Sequence, residues 1–288
     1  MKTQGTAAAL ILTLWFAFGC AAGEATNRPL RVYDLKQERE TTAAGILPRL
    51  KTKRVVLVGE QHDAASHHRA QLEIIRLLHE SGTPVAVGLE MFRRNSQEAL
   101  DRWIAGKLPE PAFRERFREN WGHVWALYRE IFLYAREKAI PMVGLNVPRD
   151  ITRQVARQGY RSLSPTRKAE LGDVTCSVDA SYMAFIREAY GGHGHGNRQG
   201  FLFFCEAQMV WDSAMAVRAV DYLRRNPERT LVMLLGTAHA RKQAVPEQIR
   251  ARSDLAAAVL LPEVPGRIDA GTMGTEDADY LLLGLDGV

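Results

Sequence analysis

Short apolar runs alternate with longer stretches of helical periodicity along most of the chain. Val, Leu and Ile fill these runs without the apolar and polar alternation of a half-exposed strand, at residues 54–60, 83–90, 139–146, 230–239, 256–264 and 279–285. Strands that are apolar throughout and separated by helices indicate a mostly parallel sheet covered on both faces. The sequence therefore predicts an α/β fold, with a mostly parallel β-sheet flanked by helices.

The stretches between the predicted strands have the spacing of amphipathic helices. Two of them, about residues 95–138 and 149–190, are longer than a simple crossover between neighbouring parallel strands requires. We therefore expect helical insertions at these two places. Some of their helices are expected to stand off the sheet as a helical lobe or lid.

The start of the chain differs from the rest. Lys2 precedes the apolar stretch "TAAALILTLWFAFG", and "AFGC" resembles the lipobox of a bacterial lipoprotein. We expect a signal peptide over 1–19, a lipidated Cys20, a flexible linker over 20–30 and one domain over 31–288. This pattern predicts an exported protein that its lipid anchors at the cell envelope, on the outer membrane facing the periplasm. The alternative is ordinary secretion in which Cys20 is discarded.

Composition and charge narrow the function classes. The 288 residues are 46% hydrophobic and 25% charged, which suits a globular domain with a large core. The net charge of +5 is modest, and basic residues do not interleave with aromatic ones, so nucleic acid is not an expected partner. Arg149, Arg153 and Arg157 follow i, i+4 spacing and line one helix face, which is either solvated or a contact for anionic head groups.

The two remaining cysteines do not suggest a metal site. Cys176 and Cys205 match no metal-binding spacing and form no Cys-x-x-Cys motif. Two buried thiols are the default expectation. A disulfide is the alternative, because an oxidising compartment would permit one.

Polar residues of similar kind follow four of the predicted strands. They are Glu60 and His62 after the first strand, Glu90 after the second, Asn146 after the third and His239 after the fourth. In open α/β sheets ligands bind outside the carboxyl ends of the strands, so we expect these side chains to share one crevice. Two histidines and two carboxylates suit a divalent transition metal, and equally suit acid and base chemistry.

These motifs resemble a known family. "VVLVGEQHDAASHHRAQ", "GLEMF", "WGHVWALYREIFLYAREKAIPMVGLNVPR", "EAQMVWDSAMA" and "LLGTAH" together look like the ChaN family of haem-binding, iron-regulated lipoproteins. The wider superfamily includes the Tiki proteases and the erythromycin esterases and is marked by two Gly-x-x-His motifs. Here these are Gly59 to His62 and Gly236 to His239. The resemblance runs in order from about residue 53 to the end of the chain.

The resemblance implies a sheet lobe with a helical lobe, and haem as the ligand, with a possible homodimer around it. It also implies that a tyrosine, aided by histidine, binds the haem iron. Family members often carry an aromatic residue and a glycine before the "VP" that follows the second motif, whereas this chain has "ARKQAVP". The axial tyrosine is therefore expected elsewhere, and the candidates are Tyr128, Tyr160, Tyr182 and Tyr190. The arginines above then become candidates for the haem propionates.

The loop "YGGHGHGNRQG" offers a further route to the iron. His193 and His195 lie two residues apart among glycines, so they are candidate ligands for haem iron or for a free divalent ion. The alternative is a surface loop that happens to contain histidine.

The sequence is compatible with two functions. The first is an exported lipoprotein that binds haem for iron uptake or storage without turnover. The second is a divalent-metal-dependent hydrolase, protease- or esterase-like, in which Glu60, His62, Glu90 and His239 hold Mn, Co or Zn and one glutamate activates water. The export signal and the order of the family motifs favour haem binding.

Overall fold

The computed structural model describes residues 29–172, 174–189 and 198–285, and within them an eight-stranded sheet lies between layers of helices. The strands are β1 (Arg31–Asp34), β2 (Arg39–Thr42), β3 (Val55–Glu60), β4 (Val85–Arg93), β5 (Met142–Asn146), β6 (Thr230–Gly236), β7 (Ala257–Pro262) and β8 (Tyr280–Leu283). The helices are α1 (Ala43–Leu50), α2 (Ala65–Glu80), α3 (Gln97–Ile104), α4 (Glu110–Trp121), α5 (Trp125–Glu137), α6 (Arg149–Gln158), α7 (Pro165–Leu171), α8 (Ala180–Ala189), α9 (Arg198–Arg225), α10 (Thr237–Ala240) and α11 (Val245–Arg250). The predicted α/β fold with a mostly parallel sheet is confirmed.

The sheet has the strand order β2-β1-β8-β7-β3-β6-β4-β5. From β8 to β5 every neighbouring pair is parallel, whereas β1 runs antiparallel to both β8 and β2. β3 and β6 pair along their length, with Glu60 opposite Gly236. The carboxyl ends of β3, β6 and β4 therefore lie side by side.

The two faces of the sheet bury different helices. Val56 and Val58 of β3 pack in the core with α2 to α5, whereas Val55 and Leu57 pack with α9 and α11 on the other face. The chain leaves β3 towards α2 on the first face and leaves neighbouring β6 towards α10 and α11 on the second. Adjacent parallel strands whose chains leave on opposite faces open a crevice at their carboxyl ends.

The two helical insertions pack against different parts of the protein. In the first, the fully buried rings of Trp103, Phe113 and Phe132 pack with Phe92 of β4, so α3, α4 and α5 complete the core of one face. In the second, α6, α7 and α8 bury their apolar side chains in two separate clusters against α9. The predicted lobe therefore corresponds to the second insertion, whereas the helices of the first lie on the sheet.

Several predicted features lie outside the described residues. These are the signal segment with Cys20, and the loop positions Tyr190, His193 and His195. Within the described ranges, no helix combines the length and the apolar character that crossing a bilayer requires.

Candidate functional site

A cavity of about 630 Å³ opens at the carboxyl ends of β3, β4 and β6. Carboxylates, imidazoles, aromatic rings and arginines line it, among them Glu60, His62, Glu90, His239, Trp121, Phe204, Trp211, Arg149, Arg153 and Arg267. Its volume falls within the roughly 300–1,000 Å³ of small-molecule and cofactor sites. Four of the five strand-end residues singled out from the sequence therefore meet in one crevice.

His62 presents its ring to this cavity. Its side chain is 48% exposed, and its Nδ1 lies 2.8 Å from Oε1 of Glu60. The ring meets the Trp121 indole edge to face, with 5.0 Å between centroids. Burial lowers the pKa of His62, but the hydrogen bond to Glu60 and the charges of Glu90 and Glu60 outweigh it, so the pKa is raised. Because Nδ1 is engaged, Nε2 is the ring nitrogen left for a ligand.

Glu60 is a buried carboxylate that several donors share. The Tyr128 hydroxyl donates to the same Oε1 that His62 contacts, and Nδ1 of His68 lies 3.1 Å from Oε2. Burial by itself raises the pKa of Glu60, yet the contacts with His62 and His68 outweigh it and lower the pKa to about 2. Glu60 is therefore ionised at neutral pH and orients the His62 ring.

His239 belongs to a second, more deeply buried pair. It lies on α10, and its Nδ1 is 2.6 Å from Oδ1 of Asp212 on α9. The other carboxylate oxygen of Asp212 accepts a hydrogen bond of 2.6 Å from the Tyr182 hydroxyl. Burial lowers the pKa of His239, but the charges of Asp212 and Glu90 outweigh it and raise the pKa to about 9. His239 is therefore held as an imidazolium at neutral pH.

Glu90 and Gly236 join the two pairs. Oε2 of Glu90 accepts a hydrogen bond of 2.7 Å from the Gly236 amide, and Oε1 lies 3.9 Å from Nε2 of His239. A Cβ at Gly236 would come within 2.9 Å of Cε1 and 3.3 Å of Nε2 of His62. The backbone of β6 can approach the His62 ring this closely because Gly236 has no side chain.

Asn146 does not line the main cavity. Its Nδ2 donates to the carbonyl oxygen of Glu90 at 2.8 Å, and its Oδ1 accepts from the Val147 amide at 2.8 Å. It faces a separate cavity of about 360 Å³ beside Arg218. Its observed contacts support the strand that carries Glu90, so the structure does not place it against a ligand in the crevice.

The tyrosines considered as axial ligands do not reach the cavity in the described part of the chain. Tyr128 is fully buried and bonded to Glu60, and burial raises its pKa far above the usual range. The Tyr160 hydroxyl donates to the carbonyl oxygen of Val174 at 3.3 Å, and Tyr182 is buried against Asp212. Tyr128 in particular is placed as a donor to Glu60 and not as an iron ligand.

The geometry does not favour a divalent-metal centre. Over the described ranges, no group of three or more His, Cys, Asp or Glu side chains is arranged to hold a metal ion. The reason lies in the carboxylates, since Glu60 contacts His62, His68 and Tyr128, and Glu90 accepts from the Gly236 amide, so both are engaged within the protein. A zinc-type site needs about four such groups converging on one point.

The two cysteines are free thiols. Burial raises the pKa of Cys176 to about 12 and that of Cys205 to about 11. Both thiols therefore stay protonated at neutral pH. The default expectation of free thiols is met, with Cys205 buried and Cys176 half-buried.

Asp212 and Trp211 are site residues that the strand-end argument missed. Trp211 lines the cavity and meets the His239 ring edge to face, with 5.7 Å between centroids. Both lie in the middle of α9, far from any strand end. One signal was present, because Asp212 is the only acidic residue between 207 and 220, a stretch dominated by apolar residues. An isolated carboxylate on a buried helix needs a cationic or hydrogen-bonding partner.

Comparison with known proteins identifies a family. The sequence profile described as "Haem-binding uptake, Tiki superfamily, ChaN" matches residues 46–249. The match includes all four polar residues of the cavity's strand ends and both Gly-x-x-His motifs. No sequence among the curated proteins matches the chain significantly.

One of the similar solved structures shares the fold. The structure titled "Cofacial heme binding to ChaN of Campylobacter jejuni" is 20% identical, covers 88% of this chain and 96% of its own, and has a TM-score of 0.69. An erythromycin esterase, EreC, in its open conformation is 17% identical over 75% of this chain and 71% of its own, with a TM-score of 0.48. The type III effector HopBA1 is 15% identical over 84% and 90% of the two chains, with a TM-score of 0.49.

Proposed function

Because this chain belongs to the ChaN family of haem-binding uptake proteins in the Tiki superfamily, we propose that it binds haem in the cavity at the carboxyl ends of β3, β4 and β6. The proposal extends to its setting, in which an exported protein, anchored through lipidated Cys20 on the outer membrane facing the periplasm, holds haem for iron uptake or storage. The relative from Campylobacter jejuni, whose title names cofacial haem binding, supports the ligand class.

The observation that carries the proposal is the orientation of His62. Its ring is half-exposed in the cavity, and the buried carboxylate of Glu60 holds Nδ1. A histidine whose other ring N–H donates to a carboxylate is the usual arrangement at metal centres, because that bond fixes the tautomer and raises the basicity of the ligand. When bound, haem would supply an iron centre, and Nε2 of His62 would hold it.

The rest of the cavity suits an amphipathic porphyrin. Trp121, Phe204 and Trp211 offer aromatic surface for its apolar macrocycle. Arg149, Arg153 and Arg267 have no hydrogen-bond or ion-pair partner for their guanidinium groups within the described ranges. Guanidinium groups pair with carboxylates in a bidentate manner, so these arginines support the binding of the two propionates of haem.

A homodimer around haem stays a part of the proposal. The half-exposed ring of His62 in the cavity and the cofacial binding named for the Campylobacter jejuni relative support it. A second copy would cover the exposed face of a porphyrin, since one protomer contributes aromatic surface and arginines from one edge of its sheet only.

The direct test is a titration of the purified full chain with hemin, followed in the Soret region. We expect a saturable band shift, and no shift would overturn the proposal. Two further ligands distinguish the contribution of the iron to affinity from that of the propionates. Metal-free protoporphyrin IX lacks the iron, and the dimethyl ester of hemin lacks free propionates. We expect both to bind more weakly than hemin. Labelling of cells with palmitate, lost in Cys20→Ala, tests the lipid anchor.

A further inference from the structure

Four arginines along α6 and the turn after it form a line of exposed cations. They are Arg149, Arg153, Arg157 and Arg161. None of their guanidinium groups has a hydrogen-bond or ion-pair partner in the ranges that the structure describes. Successive members on the helix are about 6 Å apart along its axis, since an α-helix rises 1.5 Å per residue. The line continues beyond the cavity mouth, where haem binding does not account for it.

Neighbouring carboxylates offset this line only in part. Asp150 forms an ion pair of 2.5 Å with Arg167, whereas Glu206, which accepts a hydrogen bond of 2.7 Å from the Tyr160 amide, keeps its negative charge. A further cation, Lys168, lies over the Tyr160 ring. The four arginines and Lys168 outnumber the one carboxylate that has no cationic partner within the described ranges, so the surface keeps a net positive charge.

An aromatic side chain lies beside the arginines. Phe203, in the first turns of α9, is half-buried. A Cβ at Gly159 would lie 2.5 Å from Cε1 of Phe203, so this ring rests against the turn between Arg157 and Arg161. Basic residues mixed with partly exposed aromatic residues are typical of surfaces that lie in the head-group region of a bilayer.

We propose that this basic and aromatic surface, made by Arg153, Arg157, Arg161 and Phe203, docks on an anionic lipid bilayer. A bilayer is favoured over a second copy of the chain, because two such surfaces facing each other would repel. It is favoured over an acidic protein because the aromatic ring needs a partner that is both anionic and able to admit hydrocarbon. Docking of this kind does not depend on the lipid at Cys20.

Docking would bring the cavity mouth to the membrane. Arg153 belongs both to the docking surface and to the cavity lining, and Phe204 of the lining follows Phe203 directly. Haem is an amphipathic ligand, so a mouth held at the bilayer surface would let it pass between lipid and protein. This last step rests on the proposed function, whereas the docking itself does not.

The test measures hydrogen exchange of the full chain reconstituted into two kinds of vesicle, pure phosphatidylcholine and its equimolar mixture with phosphatidylglycerol. We expect slower exchange in peptides covering 149–162 and 199–206 in the anionic vesicles only. High salt should remove the difference, because about 1 M salt shortens the screening length to roughly 3 Å. The key variant is Arg157→Gln with Arg161→Gln, since neither residue lines the cavity.

Two sets of control variants show whether a loss of docking comes from the lost charge at this surface or from a change in the fold. Each basic residue near an anionic surface contributes roughly fivefold, so the double glutamine variant should weaken docking by about 25-fold. Arg157→Lys with Arg161→Lys should retain the protection. Arg102→Gln with Arg116→Gln removes the same charge from paired cations on α3 and α4 and should also retain it.

Three results would overturn the docking proposal. They are equal protection in neutral vesicles, loss of protection in the Arg102 and Arg116 control, and protection that rises with protein concentration without lipid, which would assign the surface to a second copy. Hemin titration of the same variants in solution is the independent measurement. Failure of hemin binding in the unchanged chain would remove the proposed function while leaving the lipid result in place.

Discussion

Two histidine and carboxylate pairs lie at the cavity. Both histidines belong to a Gly-x-x-His motif, but the two pairs differ in exposure to solvent. In the β3 pair the carboxylate of Glu60 is buried and the ring of His62 is 48% exposed, whereas His239 and Asp212 in the second pair are both buried. Each histidine lies three residues after a glycine at a strand end. The comparison shows that the Gly-x-x-His motif places a ring at the crevice without deciding whether a ligand can reach it.

The surroundings of each carboxylate account for the difference. Glu60 is shared by His62, His68 and Tyr128, and its pKa falls to about 2. Asp212 contacts Nδ1 of His239 and accepts a hydrogen bond from the Tyr182 hydroxyl. Glu90 adds a second negative charge beside His239, and the two charges raise the pKa of His239 to about 9. The first pair therefore offers a ligand nitrogen towards open space, and the second pair holds a buried cation that supports the architecture around it.

The largest expected effect is on haem affinity, which should fall much more when His62 is replaced than when His239 is replaced. His62→Ala removes the proposed iron ligand, so hemin affinity should fall by more than the roughly 100-fold that loss of an outer-shell partner costs. His239→Ala, which leaves His62 and Glu60 in place, should cost about tenfold. Affinity for metal-free protoporphyrin IX should change little in His62→Ala, because that ligand has no iron.

His79→Ala is the matched control for these variants. His79 lies at the far end of α2, contacts Tyr134 and does not line the cavity. Equal loss of hemin affinity in His62→Ala and His79→Ala would mean that the effect is not ligation. A greater loss in His239→Ala than in His62→Ala would reverse the assignment of the two pairs.

The second-largest expected effect concerns the free energy of unfolding, to which the His239 and Asp212 pair contributes in a pH-dependent way. The pKa of His239 is about 9 in the folded protein against 6.5 without its partners, so its pairing stabilises the fold fully below pH 6.5. This contribution is lost as the pH rises through about 9. Asp212→Asn should lower the free energy of unfolding by about 2 kcal/mol at pH 6, since it removes a charged partner from a buried imidazolium.

Chemical denaturation at pH 6 and at pH 9.5 checks this expectation. The gap between the unchanged chain and Asp212→Asn should be large at the lower pH and should narrow at the higher pH. Tyr182→Phe removes only one neutral donor to Asp212 and should have a smaller effect at both. A gap that stays constant between the two pH values would mean that the His239 charge does not contribute.

The fold could be predicted in large part because its main signal is local. Six runs of Val, Leu and Ile give the six parallel strands, since a strand buried on both faces has no polar positions. The hairpin of β1 and β2 was missed, because "RVYD" and "RETT" are short, contain charged residues and lie at the sheet edge. The pairing of β1 with β8 depends on residues about 250 positions away, as Val32 opposite Leu282 shows.

The site could be predicted only where the chain itself marks it. Strand ends are recognisable, so Glu60, His62, Glu90 and His239 were found. Asp212 lies within a helix, and only the packing of α9 over the sheet edge brings it to His239. Asn146 and Tyr128 show the converse, since a strand end indicated the first and the family resemblance the second as contacts of a ligand, whereas Asn146 bonds to the Glu90 backbone and Tyr128 to the Glu60 side chain.

The smallest expected effect concerns the glycine between the two pairs. Gly236 has a φ of −56°, which any residue can adopt, so Gly236→Ala adds no backbone strain. Its methyl group would lie 2.9 Å from Cε1 of His62, and this half-exposed ring would have to turn aside. Hemin affinity should fall about threefold to fivefold, which corresponds to less than ~1 kcal/mol, with little change in thermal stability.

Gly88→Ala is the contrasting change. Its methyl group would meet Cδ1 of Leu145 at 2.9 Å and Cγ of Met233 at 3.3 Å inside the core, away from the cavity. It should therefore lower stability by about 1–3 kcal/mol, as overpacking does, and leave hemin affinity of the folded protein unchanged. If Gly236→Ala instead behaved like Gly88→Ala, the close approach of β6 to His62 would serve packing alone. Opposite responses of binding and stability at these two glycines would place the His62 ring, held against Gly236, among the groups that set haem affinity.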